Sequence, residues 1–252
     1  VVVAFNAGLI HREGPYRLNV HLCRTLADCG FIAIRIDLSG KGDTPAREGL
    51  INRESVALDW KYVKESINDR FGKRSLTLMG LCSGADNAIK ITAAEEDVNG
   101  LILLDPVSSP DAGFQRRALK GKLTNIHKWL NLPANFWRRF RRRIGRETDP
   151  YAHMLGLRDE PTSEDTQRCF THIVNNHGRV LAIFTSQQAE RYNQEGQFAR
   201  AQDIAGLDQC CEEVFWPQVE HLYPVQVHRE RLVEKIRDWA QRQFDTLNDR
   251  VS

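Results

Sequence analysis

No apolar run in this 252-residue chain approaches the roughly 18 residues that cross a bilayer as a helix. The longest, FIAIRI from Phe31 and GLILLDPV from Gly100, are the size of strands. No two cysteines have the paired C-x-x-C spacing of a zinc or redox site. The six present (Cys23, Cys29, Cys82, Cys169, Cys210 and Cys211) are scattered, which predicts reduced thiols, a cytoplasmic setting and no metal. Gly40-Lys41-Gly42 lacks the full G-x-G-x-x-G of a phosphate loop, so no nucleotide or other organic cofactor is implied. Internal repeats and low-complexity tracts are absent, which excludes solenoid and disordered classes. Val1 opens an apolar run with no methionine, charged leader or cleavage site before it, and further residues are expected upstream. The last absence is local. Between Ala112 and Arg146 there are eleven Lys and Arg and no acid, leaving 24 basic against 33 acidic residues elsewhere, a net of −9.

What remains is ordinary for a globular protein, with 41% hydrophobic and 27% charged residues. Short β-branched runs alternate with amphipathic stretches, the rhythm of a parallel sheet covered on both faces. VVVAF (1–5) reads as a strand and residues 17–29 as a helix that Gly30 ends; FIAIRID follows as a strand, then the turn SGKGDTP. Val56, Trp60, Val63 and Ile67 give the stretch 54–71 one buried helical face. SLTLMG, GLILLDPV, RVLAIFT and CCEEVFW complete the expected strands, with helices after Ser83, near 194–205 and over 229–244. The expected architecture is one α/β domain over 1–252, with the basic stretch an insertion at 110–170.

Gly80-Leu81-Cys82-Ser83-Gly84 joins a strand directly to a helix, the pattern G-x-S-x-G of a nucleophile elbow with cysteine at its centre. Glycines two residues either side allow close approach of strand and helix, and the central side chain is presented at the carboxyl edge of the sheet. Ser83 is off-centre and is not the expected nucleophile, but its N–H, at the helix start, faces the same spot and favours a thiolate and a developing oxyanion. A buried inert thiol is the competing reading of Cys82.

This elbow and the order of elements resemble the α/β-hydrolase superfamily. NAGLIHREGPYRLNVHLCRTLADCGFIAIRIDLSGKGDT and GLCSGA are similar to bacterial hydrolases of the serine-aminopeptidase-like and exosortase-associated groups. The resemblance implies an α/β-hydrolase fold with nucleophile, acid and histidine in that chain order. It puts the base at His221, in the loop before the last helix. The acid belongs after RVLAIFT, where the aligned positions are Gln188 or Ala189; Glu190, and Asp105 after the preceding strand, are the two candidates left. The loop at Gly8, with Leu9 beside it, is implied to complete the oxyanion hole. A thiol needs less activation than a serine hydroxyl, so a Cys-His pair tolerates a displaced acid.

In this fold an insertion after the strand ending near Asp105 implies a helical lid whose apolar residues, Trp129, Phe136 and Trp137 among them, line an acyl pocket. Arg138, Arg139, Arg141, Arg142 and Arg143 are either a solvated outer face or a site for an acidic carrier or anionic surface; nucleic acid is not expected. The function expected is hydrolysis of an acyl ester or thioester, small or carrier-bound, through a Cys82 acyl-enzyme. Acyl transfer from the same site, or ligand binding without catalysis, are the alternatives.

Overall fold

The apolar runs do become strands, and they lie side by side. The computed structural model describes residues 1–117 and 159–248. In chain order the elements are β1 (Val2–Ala4), α1 (Leu18–Asp28), β2 (Ala33–Arg35), α2 (Asn52–Phe71), β3 (Leu76–Leu81), α3 (Ser83–Thr92) and β4 (Val98–Leu104). After the basic stretch come α4 (Ser163–Asn175), β5 (Arg179–Thr185), α5 (Gln197–Gln202), α6 (Leu207–Cys210), β6 (Cys211–Trp216) and α7 (Gln226–Asn248).

All pairings are parallel, in the order β2-β1-β3-β4-β5-β6. Because both faces are covered, the central strands carry near-continuous apolar runs rather than alternating ones. Side-chain parity divides them. Val3, Leu78, Leu101, Leu103, Val180 and Ala182 face one core, closed by Trp60 of α2, Ile89 of α3 and Phe170 of α4. Val2, Ala4, Met79, Ile102, Leu181 and Ile183 face the other, under Leu22 of α1 and Ile236 and Trp239 of α7. The chain winds outward from β1 to β2, then crosses back to β3, so the strand order switches between β1 and β3. Ligands of open parallel sheets bind in the crevice at the carboxyl ends beside such a switch.

Several boundaries differ from the sequence reading. FIAIRID yields only the three residues of β2, an edge strand half exposed along its length. The helix near 194–205 shrinks to Gln197–Gln202 because Gly196 and Asp203 flank it in left-handed conformation (φ 78° and 52°). Cys210 ends α6, and β6 begins only at Cys211. All six cysteines are free thiols. No helix among the described residues is long and apolar enough to cross a membrane.

The insertion expected over 110–170 lies outside the described residues from 118 to 158. Its final residues, from Ser163, belong to α4, which starts with a capping box: Thr162 Oγ1 accepts from the Asp165 N–H, and Asp165 accepts from the Thr162 N–H. Cys169, Phe170 and Ile173 bury that helix against the sheet.

Candidate active site

β3 runs into α3 through one residue, Cys82, held at φ 55° and ψ −119°. Non-glycine residues occupy positive φ only where their surroundings impose it. Here the Cys82 N–H donates to the Leu104 carbonyl of β4 (2.8 Å), and its own carbonyl accepts from the Asp86 N–H (3.1 Å). The flanking glycines are required on steric grounds. A Cβ on Gly80 would lie 2.2 Å from the carbonyl carbon of Gly84, and one on Gly84 would lie 2.8 Å from the Asn6 carbonyl oxygen at the end of β1.

Asp105 follows β4, also at positive φ (48°), with its N–H on the Ile183 carbonyl. Its carboxylate is fully buried and accepts three donors: the Thr185 N–H (2.7 Å) on Oδ1, and the Thr185 hydroxyl (2.6 Å) and His221 Nδ1 (2.6 Å) on Oδ2. A buried carboxylate tolerates its setting when its lone pairs are satisfied in this way. His221 comes from the loop after β6, which is tied to the loop after β5 by the Ser186 N–H on the Val219 carbonyl (2.9 Å). The imidazole also hydrogen-bonds Cys82. Burial lowers its pKa, but the bonds to Asp105 and Cys82 outweigh that and raise it to about 9. At neutral pH the ring is therefore an imidazolium between a sulfur and a carboxylate.

Of the two acids, Asp105 meets His221 and Glu190 does not. The chain after β5 makes a 3-10 turn, Ser186–Gln188. This turn buries Gln188, with its amide 3.5 Å from the Asp105 carbonyl oxygen, and leaves Glu190 in solvent. The position where the acid was expected is thus filled by an amide behind the carboxylate that His221 meets.

On the opposite side, Gly8 adopts φ +54° after β1, and Leu9 is exposed. The Gly8 N–H donates to Ser83 Oγ (2.7 Å), a contact across 75 residues that brings the two expected oxyanion segments together. The loop is fixed from behind by Asp37, whose buried carboxylate accepts from both the N–H and the guanidinium of Arg12, each at 2.6 Å. His11, Asp37 and Asp43 lie close enough to share one cation, and Arg12 bridges both carboxylates there. Gly40 and Gly42 turn the chain at positive φ beside this cluster. Trp129, Phe136, Trp137 and the run Arg138 to Arg143 lie outside the described residues.

Sequence reasoning missed Thr185, the Asp37–Arg12 clamp and the Ser83 hydroxyl. Only Asp37, a lone acid entering a glycine-rich turn, carried any signal.

Comparison with known proteins agrees with this fold. The family described as serine aminopeptidase, S33, matches residues 2–172. An esterase of Pyrococcus furiosus superposes with a TM-score of 0.56 at 14% identity, covering 96% of this chain and 80% of that one. Est1E from Butyrivibrio proteoclasticus, solved with ferulic acid bound, gives 0.55 at 15% identity, covering 97% and 89%. Mouse alpha/beta hydrolase domain-containing protein 10 gives 0.50 at 16% identity, covering 100% and 90%. At such identities these structures establish the α/β-hydrolase fold and nothing finer. No curated protein matches by sequence.

Proposed function

The chain belongs to the serine aminopeptidase S33 family of α/β-hydrolases, and on that premise we propose that it cleaves acyl esters or thioesters through a covalent acyl-enzyme on Cys82. One observation carries the reading: His221 hydrogen-bonds the elbow thiol on one side and a buried, fully satisfied carboxylate on the other.

The chemistry follows from where the protons start. A protonated His221 favours the thiolate form of Cys82, which suits a nucleophile whose intrinsic reactivity is high. The thiolate adds to the acyl carbon, a C–S bond forms, and the carbonyl electron pair moves to oxygen beside the start of α3. Collapse breaks the bond to the leaving group. The leaving group takes the proton of His221: an alkoxide needs it in order to depart, whereas a thiolate, the weaker base, can depart first and take it afterwards. The now neutral imidazole accepts a proton from water as that water attacks the thioester, and the second collapse returns thiolate and imidazolium. An alcohol or amine in place of water makes the same sequence an acyl transfer. The reading of a binding protein without catalysis rested on a missing acid, and the carboxylate of Asp105 on His221 Nδ1 speaks against it.

Intact-mass measurement after incubation with a panel of activated esters and thioesters tests this. The expected result is a stoichiometric acyl adduct on the parent chain, absent from Cys82→Ala. In Cys82→Ser, acylation is expected to be slower by on the order of 100-fold, since a hydroxyl beside an imidazolium is not ionised. An adduct that survives in Cys82→Ala sinks the assignment. Product analysis with candidate acceptors separates transfer from hydrolysis.

A further inference from the structure

The Gly8 N–H, which an oxyanion would be expected to meet, is already donated. It points at Ser83 Oγ from 2.7 Å. Ser83 is the first residue of α3, so its own N–H is one of the orphan donors of the first helical turn. Its hydroxyl accepts from Gly8, and no acceptor among the described residues takes the hydroxyl proton. A hydroxyl that accepts a hydrogen bond is polarised and becomes the better donor.

We propose that the Ser83 hydroxyl is a catalytic donor to the oxyanion, with Gly8 acting through it. The oxyanion would then meet two donors from one residue, the main-chain N–H and the side-chain O–H. The Gly8 amide fixes the rotamer of the hydroxyl before substrate arrives, which is what electrostatic preorganisation requires. The residue that the elbow pattern rules out as nucleophile thereby acquires a role of its own. The Asp37–Arg12 clamp holds the loop that makes the arrangement possible. This inference rests on the Cys82 acyl-enzyme and deepens it.

Two rates on the full chain separate this role from a structural one. Single-turnover acylation by an activated thioester passes through an oxyanion; alkylation of Cys82 by iodoacetamide does not. Ser83→Ala is expected to acylate about 10- to 100-fold more slowly, the effect of losing one oxyanion donor, while alkylating within twofold of the parent. Ser83→Thr, which keeps the hydroxyl, is expected to recover most of the acylation rate. If Ser83→Ala acylates as fast as the parent or faster, the freed Gly8 N–H serves directly, the serine merely occupies its place, and the proposal is overturned. A parallel fall in both rates assigns Ser83 to holding the elbow and overturns it equally. If the parent chain itself forms no adduct on Cys82, the acyl-enzyme reading fails first and takes this one with it.

Discussion

The least conventional group in the site is Asp105, because it stands at the end of β4 while the acid of the resembling family follows the next strand. Its pairing with His221 makes a prediction with a definite sign. A negative charge beside an imidazolium favours the protonated ring, so His221 keeps its proton up to about pH 9. Cleavage of an ester with an alcohol leaving group needs that proton, and kcat/KM should be level through neutral pH and fall as pH passes about 9. Asp105→Asn removes the charge, lowers the pKa and moves the falling limb to lower pH, with kcat reduced about 10- to 100-fold. Iodoacetamide alkylation, which needs only the thiolate, should show no such fall at high pH. Glu190→Gln should leave the profile where it is, since that side chain is in solvent. A falling limb that moves with Glu190→Gln and stays fixed with Asp105→Asn would transfer the role to Glu190.

Between elements, the elbow depends on space that only glycine leaves. Gly80→Ala would drive a methyl into the Gly84 backbone, at the junction where β3, α3 and β1 meet, and neither side can yield as a flexible side chain would. A cost above about 3 kcal/mol is expected. Gly30, exposed at φ +89° after α1 with nothing near its missing Cβ, provides the control: Gly30→Ala should cost only about 1–2 kcal/mol, the strain of a left-handed backbone. Urea midpoints of the two variants check the order, and equal midpoints would mean that the elbow opens to admit the methyl. These two glycines also explain what was legible in the sequence. Close approach leaves a mark at fixed spacing, so Cys82 could be placed from its neighbours, and continuous apolar runs marked the doubly covered strands. β2 was over-read because an edge strand ends where its single partner does, and no residue pattern records that. The acid was open between Asp105 and Glu190 because the choice depends on which strand end the His221 loop crosses, a contact over 116 residues. The Gly8–Ser83 contact was invisible for the same reason.

At the scale of the whole molecule, the excess of positive charge is concentrated in one stretch of the chain. Residues of the segments 1–117 and 159–248 build the two apolar cores described above, and those segments are fastened where they end. Arg117 pairs with Asp111 and bonds Asn193 and Gln197, while Lys90, itself buried, holds Asp159 at 2.8 Å. Residues 118–158 carry ten Lys and Arg against two acids, so replacing them with a neutral Gly/Ser linker changes the net charge from +2 to −6. The sheet should keep most of its stability without them, because its six described strands and the helices named above as closing its two faces lie outside them. Such a chain should unfold cooperatively in urea, and Cys82 should still be alkylated within a few-fold of the parent rate. What should change is the encounter with anions, since a dense block of Arg raises the on-rate for an acidic partner and salt screens it. We therefore expect the parent, and not the shortened chain, to be retained on a polyanionic resin at low salt. If the acyl group arrives on an acidic carrier, the shortened chain should lose far more activity toward the carrier-bound acyl group than toward a small activated ester. Equal losses on the two substrates would mean that the basic block contributes to the pocket rather than to the approach of the carrier.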